Sequence, residues 1–393
     1  MKNKRQEQRD NNSVEKMKVA ANEEFDAGGV GVPNGRYFGM PFENSECPVV
    51  LISVPWDATV SYSEGTSDGP EAMIDASVQV DLYDEFIADS DTLKIGTDET
   101  MIDIKDNPED ESELMAAADY IKLLNMTARP KAKQVIDALA AGEEADAELI
   151  AEVNQTSGAV NYLVEQICSS YYKMGKIPGV VGGEHSVSYG AVKAAVASLN
   201  GAELGVLQFD AHADLRVAYE GFEHSHASVM YNIISTIPEV SKLCQVGLRD
   251  FCRQEHNLIR TNPKIKAFTD AEIAARLSGT DNWNNICNDI IESLPENVYI
   301  SFDIDGLDPS LCPNTGTPVA GGLSFQQALI LLRLVAKKRN IVGFDLCEVA
   351  PAASAASAEN EEVAEPVNEW DANVGARLLH KLSLFAAMGK SMK

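Results

Sequence analysis

The sequence predicts an α/β fold: one domain of three layers, α-β-α, around a central and mostly parallel sheet. Short apolar runs of the buried-strand type recur at Val49 to Val54, Ile177 to Val181, Leu204 to Phe209, Cys244 to Leu248, Val298 to Phe302 and Ile341 to Asp345. Stretches with helical spacing lie between them, and runs apolar on both faces that alternate with helices require a parallel sheet covered on both sides. No internal repeat or clean change in composition divides the 393 residues.

In chain order, the first 34 residues are polar and end in the Gly/Pro-rich stretch Gly28-Gly29 to Pro33-Asn34-Gly35. They read as an N-terminal extension, mobile or ordered only against another subunit, ahead of a domain over 35–393. Val49 to Val54 opens the sheet. In Gly69-Pro70-Glu71-Ala72, Pro70 suits the start of a helix, where its fixed φ fits and its missing N–H is not needed. Residues 98–113 hold eight acids against one lysine, with Asn107-Pro108 as a breaker, and five more acids fall in 143–152. The region near 98–150 therefore reads as carrying acidic surface insertions. Val160, Leu163, Val164 and Ile167 have helical spacing within Ala147 to Met174, a stretch closed by Gly175. Gln326 to Arg339 and Ala376 to Met388 are also helical in pattern. Ala353 to Glu365 is Ala/Ser/Glu-rich and of low complexity, so it reads as a mobile loop insertion.

The chain carries 32 lysines and arginines against 60 acids, a net charge of −28. A nucleic-acid surface needs a basic stripe, and an anionic membrane face repels such a chain, so both partners are excluded. The acidity sits mainly in added surface segments: 98–113 contribute −7, 143–152 contribute −5 and 359–365 contribute −4. No apolar run reaches the roughly 18 residues of a membrane span, and Met1 to Asn12 lacks a signal-peptide core. A cytoplasmic location is expected. The seven cysteines are scattered without a CxxC pair, which reads as reduced thiols, mostly buried.

Four of the six histidines fall within 42 residues, at 185, 212, 224 and 226. Three apolar runs end in polar residues foreign to a core: Gly182-Gly183-Glu184-His185-Ser186, Asp210-Ala211-His212-Ala213-Asp214, and Ser301-Phe302-Asp303-Ile304-Asp305 continuing to Asp308-Pro309. Alternate side chains of an extended chain share a face, which groups Asp210 with His212 and Asp214, and Asp303 with Asp305. Ligands bind at the carboxyl ends of parallel strands, so the three groups can converge there. Asp-x-His-x-Asp alone could be a strand end with capping carboxylates; three such motifs at three strand ends favour a site. Two imidazoles and four carboxylates at one place repel unless a cation joins them. Two divalent ions would match the four negative charges and, bridged about 3.5–4 Å apart, would bring a shared water towards neutral pKa. The oxygen-rich set suits Mn2+ best, with Ni2+, Co2+ or Fe2+ allowed.

These motifs resemble those of the ureohydrolase superfamily of arginases, agmatinases and their relatives, GGDHS, DAHxD and SxDxDxxDP. The resemblance runs from about Val49 to the C-terminus, interrupted by the acidic insertions. It implies an arginase-like fold and two metal ions: His185 and Asp214 on one, His212 and Asp305 on the other, Asp210 and Asp303 bridging both. Glu184 stands where the family usually has Asp, which predicts only an adjustment around the neighbouring ligand. His226, 12 residues beyond Asp214, matches the family's proton shuttle to the leaving amine, with His224 as its competitor. Glu348 matches the acid that pairs with the guanidinium group. Thr317-Pro318 with Gly321-Gly322, and Gly65 to Pro70, match family loops around the site, while Asp308 and Pro309 read as a cap and a turn.

The implied reaction is hydrolysis of a small cationic guanidino compound to urea and an amine, with hydroxide attacking the central carbon. The SHAS and EVAP segments favour an agmatinase-like enzyme, converting agmatine to putrescine and urea. Hydrolysis of guanidine or guanidinobutyrate and arginase activity stay open. So does a formimidoylglutamase reading, in which Arg216 of Asp214-Leu215-Arg216 would meet an anionic substrate. A non-catalytic relative and a single-zinc deacetylase-type enzyme are the readings from other classes. The resemblance also implies a homo-oligomer, trimer or hexamer.

Overall fold

The computed structural model describes residues 25–104, 113–352 and 369–388. The low-complexity stretch 353–365, most of the polar extension (1–24) and the middle of the first acidic segment (105–112) lie outside the described residues.

The elements run β1 (Val49–Val54), α1 (Gly69–Ser77), β2 (Ile95–Thr97), β3 (Met101–Asp103), β4 (Leu114–Ala116), α2 (Ala117–Ala140), α3 (Ala147–Lys173) and β5 (Ile177–Gly182). Then follow α4 (Ser188–Ser198), β6 (Leu204–Phe209), α5 (Val229–Thr236), β7 (Val240–Val246), α6 (Arg253–Thr261), β8 (Ile265–Phe268), α7 (Asp270–Ser278) and α8 (Trp283–Glu292). The chain continues through β9 (Asn297–Asp303), α9 (Phe325–Lys338), β10 (Asn340–Cys347) and α10 (Trp370–Met388). Pro70 sits in the first turn of α1, as its geometry predicts.

Among the described residues, eight strands form one sheet in the order β2-β1-β5-β10-β9-β6-β7-β8, and every pairing in it is parallel. Leu207 and Phe209 of β6 and Ile300 and Phe302 of β9 face the layer of α8, α9 and α10, where they meet residues such as Leu331 and Leu378. Leu204, Val206 and Tyr299 face the other way, towards Ile121, Val160, Ala191 and Ile233 of α2 to α5. Phe209 and Phe302 stack at 4.5 Å between ring centroids. Each such aliphatic or aromatic side chain taken from water contributes about 1.5–3 kcal/mol, and the two apolar faces hold the helix layers on the sheet.

The register sets the site. Leu346 pairs with Val181, Cys347 with Asp303, and Phe209 with Phe302. The carboxyl ends of β5, β10, β9 and β6 therefore finish level and side by side.

Two edge strands escaped the apolar pattern. β2 is three residues long, and β8, Ile265-Lys266-Ala267-Phe268, keeps an exposed lysine because an edge strand is covered incompletely. The antiparallel pair β3–β4 occupies the ends of the first acidic segment. Within 98–150, α2 sends Ile121 and Ala128 into the core, so part of that region is a layer helix. Residues 25–34, the end of the expected extension, rest on the chain itself: Phe25 meets the edge of Phe42 at 5.4 Å, and Tyr37, Phe38 and Met40 are buried just beyond. All seven cysteines are free, six of them buried. Among the described residues, no helix is long and apolar enough to cross a membrane.

His380 of α10 is buried edge-on against Phe38, and neither ring nitrogen has a hydrogen-bond partner. Burial, followed by the charge of Lys381, pushes its pKa down to about 3. The unfolded imidazole takes up a proton below about 6.5, so between that value and 3 the unfolded chain binds more protons and stability is lost as the pH is lowered. At pH 5 this costs about 2 kcal/mol. His380→Leu should therefore raise the melting temperature more at pH 5 than at pH 7.5; equal shifts at the two pH values, read by differential scanning calorimetry, would contradict it.

Candidate metal centre

At the end of β5 the chain must pass directly over the end of β1. Gly183 N donates to Val54 O at 2.9 Å and Glu184 N to Trp56 O at 2.7 Å. A Cβ on Gly183 would lie 2.2 Å from Trp56 O, so only glycine permits this approach. The turn delivers His185 to the mouth of the sheet, where Asp210 and Asp214 arrive from β6 and Asp303 and Asp305 from β9.

Two groups form there. His185 Nδ1 lies 2.9 Å from Asp214 Oδ2, 3.1 Å from Asp210 Oδ2 and 3.6 Å from Asp303 Oδ2. His212 Nδ1 lies 2.9 Å from Asp305 Oδ2 and 3.7 Å from Asp210 Oδ1. Asp210 thus belongs to both groups, while Asp303 sits with His185. Backbone amides orient the carboxylates: His212 N donates to Asp210 at 2.6 Å, Asp305 N to Asp303 Oδ1 and Ala211 N to Asp305 Oδ1, each at 2.9 Å. Gln208 Nε2, itself held by Gln245, binds Asp210 Oδ2 at 2.6 Å.

The donors fit a pair of divalent ions. His185 Nε2 is 2.8 Å from Ser301 Oγ, and that hydroxyl donates to Asp345 at 3.0 Å. Nε2 must then carry a proton, so that Nδ1 holds the lone pair of the neutral ring. Burial opposes the charged imidazole, yet Asp210 and Asp214 outweigh it and raise the pKa well above its ordinary value, a demand for a cation at Nδ1. Nδ1 is buried and makes no aligned hydrogen bond, although three carboxylate oxygens surround it. A lone pair facing three anionic oxygens is repelled unless a cation lies between them. The protonation equilibria carry the same strain. Burial and then the charge of Asp210 push Asp214 up to about 7. Burial, followed by Asp305 and Asp210, raises Asp303 well above the carboxylate range. At His212 burial opposes the charged form, yet Asp305 and Asp210 outweigh it and push the imidazole up to about 12.

A cavity of about 330 Å³ opens over these groups. His226 and Glu348 line it, with Arg216, Tyr219, Asp250 and Thr317. His224 does not line it: its ring packs on Tyr189 at 5.5 Å, next to Gly158 of α3. Burial and then the charge of His212 push His226 down to about 4, a neutral imidazole at pH 7. Glu348 follows β10 with φ of +63°, a left-handed backbone that costs a side-chain-bearing residue about 1–2 kcal/mol. Glu348 N donates to Gly183 O at 2.7 Å and Thr315 Oγ1 to Glu348 O at 2.8 Å, which holds that conformation. Its Oε1 accepts the His185 amide at 2.8 Å. Burial, then the charge of Glu184, raises the Glu348 carboxyl well above its ordinary range.

Several residues of the site were not singled out from the sequence. Ser301 and Asp345 orient His185, Gln208 and Gln245 orient Asp210, and Thr59 reaches His226. The readable sign was a wholly buried Gln or Asp inside an otherwise apolar strand. Glu184 accepts hydrogen bonds from Thr59 and Ser186, a firmer involvement than the expected adjustment. Arg249 donates to Asp305 O and Val319 O, tying the Thr317–Gly322 loop to the end of β9. Asp308 caps its own turn by accepting from Ser310 N.

Ser301→Ala removes the acceptor that fixes the His185 tautomer. It should weaken divalent-metal binding by about 10- to 100-fold, read by calorimetric titration of the metal-free protein, and lower stability by about 1–3 kcal/mol because His185 and Asp345 lose a buried partner. Wild-type affinity in this variant would exclude the orienting role.

The profile of the Arginase family matches residues 47–369. The chain is 29% identical over 311 residues to the N(1)-aminopropylagmatine ureohydrolase of Synechocystis, a match covering 78% of this chain and 83% of that one. Its fold superposes on the agmatine ureohydrolase of Thermoplasma volcanium with a TM-score of 0.62 at 20% identity, over 92% of this chain and 97% of the other. The formiminoglutamase of Trypanosoma cruzi, solved with Mn2+, gives 0.61 at 17% identity over 88% and 95%. With the profile spanning the sheet and every ligand candidate, the chain belongs to the arginase family, ureohydrolases that cleave C–N bonds in linear amidines.

Proposed function

We infer that the chain is an agmatinase-like ureohydrolase that takes agmatine and water to putrescine and urea. The observation that carries this reading is the convergence of His185, Asp210, His212, Asp214, Asp303 and Asp305 beneath a cavity lined by His226 and Glu348. Two divalent ions held by those six residues, Mn2+ suiting the oxygen-rich set best, would supply hydroxide from water at neutral pH.

The remaining chemistry belongs to the side chains. Glu348 spends Oε1 on the His185 amide and keeps its other oxygen for a guanidinium N–H. That pairing sets the planar group against the ligand cluster, and burial of the cavity floor keeps bulk water from competing. His226, neutral beforehand, accepts a proton during attack and returns it to the amine nitrogen as the C–N bond breaks.

The far end of the pocket favours a cationic tail over an anionic one. Arg216 Nε lies 3.3 Å from Glu255 Oε2, and buried Glu255 is itself fixed by the amides of Cys252 and Leu215. The charge of Arg216 is therefore matched within the protein, which speaks against its receiving a formiminoglutamate carboxylate. Asp250 lines the same mouth with an exposed carboxylate that has no side-chain partner among the described residues. Two of the three proteins named above act, by their names, on agmatine or aminopropylagmatine, guanidino compounds with aliphatic amines, and the third, which shares the fold at 17% identity, is a formiminoglutamase. Assembly as a homo-oligomer, trimer or hexamer, rests on the family resemblance alone, and a cytoplasmic location on the apolar pattern of the sequence.

Urea release should be measured across agmatine, guanidine, guanidinobutyrate, arginine and formiminoglutamate, beside metal analysis. Agmatine should give the highest kcat/KM, with two metal ions per chain. A single zinc per chain, or a preference for formiminoglutamate, would overturn the reading. Asp250→Asn should raise KM for agmatine about fivefold, as expected of an exposed ion pair worth up to about 1 kcal/mol, and leave guanidine turnover unchanged.

A further inference from the structure

We propose that Thr59, its hydroxyl proton held by Glu184, is a positioning residue that fixes the tautomer and orientation of His226. The proposal rests on the reading of His226 as the group that protonates the leaving amine.

Glu184 and Thr59 are both wholly buried. The carboxylate accepts Thr59 N at 2.7 Å, Thr59 Oγ1 at 2.8 Å and Ser186 Oγ at 2.5 Å. All three partners are donors, which is the environment of an acceptor-only group. Thr59 has one hydroxyl proton, and it is committed to Glu184 Oε1. Towards His226 the same oxygen can only accept. It takes the His226 backbone N–H at 3.3 Å and lies 3.5 Å from His226 Nδ1. Catalytic contacts of this kind are often long before substrate binds and shorten in the complex.

An Nδ1 that faces an acceptor must carry the proton. Nε2 then holds the lone pair, the state needed to take a proton and hand it on. The edge of Tyr219 packs against the ring at 5.9 Å and restricts its rotation. Ser225 is the rival partner: its Oγ lies 3.4 Å from Nδ1 and accepts Ala227 N at 3.2 Å, so its hydroxyl proton is free to donate to Nδ1 and impose the opposite tautomer. The Thr59 contact prevails in this assignment because His226 engages Thr59 Oγ1 through two nitrogens. The glutamate itself is a departure from the family's usual aspartate. Its backbone is pinned to Trp56 O, so a side chain one methylene shorter would draw the carboxylate back from Thr59.

Solid-state 15N spectra of histidine-labelled, full-length protein loaded with diamagnetic Mg2+ distinguish the two tautomers. A His226→Asn difference spectrum picks out His226 among the six histidines. Wild type should show the Nδ1–H form, Thr59→Val should lose it, Thr59→Ser should restore it and Ser225→Ala should keep it. On whichever guanidino substrate the wild type hydrolyses, Thr59→Val should lower kcat roughly tenfold or more, with KM within about twofold and metal content retained. Thr59→Ser should recover most of that loss. An Nδ1–H signal that survives Thr59→Val, or one that vanishes in Ser225→Ala, overturns the proposal. A wild type that releases no urea would instead overturn the functional reading, while the spectra still decide the hydrogen-bond assignment.

Discussion

Burying Asp210, Asp214, Asp303 and Asp305 beside two imidazoles places like charges within a few ångströms of one another, where water hardly reaches them. An apolar core would exclude such a cluster, and a protein without a cation to offer must protonate part of it. The raised carboxyls of Asp303 and Asp214 and the raised imidazole of His212 are the measure of that demand. Much of the surrounding architecture makes the crowding tolerable: amides aimed at single oxygens, a hydroxyl that fixes a tautomer, and buried amide side chains that hold Asp210 from below. The cluster is costly without metal and well organised for it.

The parallel sheet supplies the place. Parallel strands end on the same side, so polar residues just past their carboxyl ends meet without entering the core. Here the meeting depends on strand order. β10 lies between β5 and β9, although residues 183–339 separate it in sequence from β5. That insertion brings Glu348 onto the amide of His185 and Asp345 beneath Ser301.

This explains what could and could not be read beforehand. The six metal-ligand candidates were legible because each follows an apolar run and has a residue type that no strand end needs. The layer helices and central strands were legible for the same periodic reason. Spacing could not choose between His224 and His226, since both fall within one short loop; only the fold turns His226 into the cavity and His224 onto Tyr189. The partners of the ligands were harder still. Ser301 and Thr59 act on partners that are distant in sequence, and no local pattern records a strand slipping between two others. β2 and β8 were obscured by shortness and by the partial exposure of sheet edges.

The bond from the His185 amide to Glu348 has a thermodynamic consequence. In the proposed function, one carboxylate would brace the turn that presents an ion-binding imidazole and also offer its free oxygen to the substrate. Any shift of Glu348 on gripping a guanidinium is transmitted to the His185 backbone, and retention of an ion at His185 stiffens the arm that does the gripping. Ion and substrate affinities are then linked with equal strength in both directions. On that reading the substrate would act as a ligand that conserves the metal, and the metal as one that pre-organises the substrate's seat.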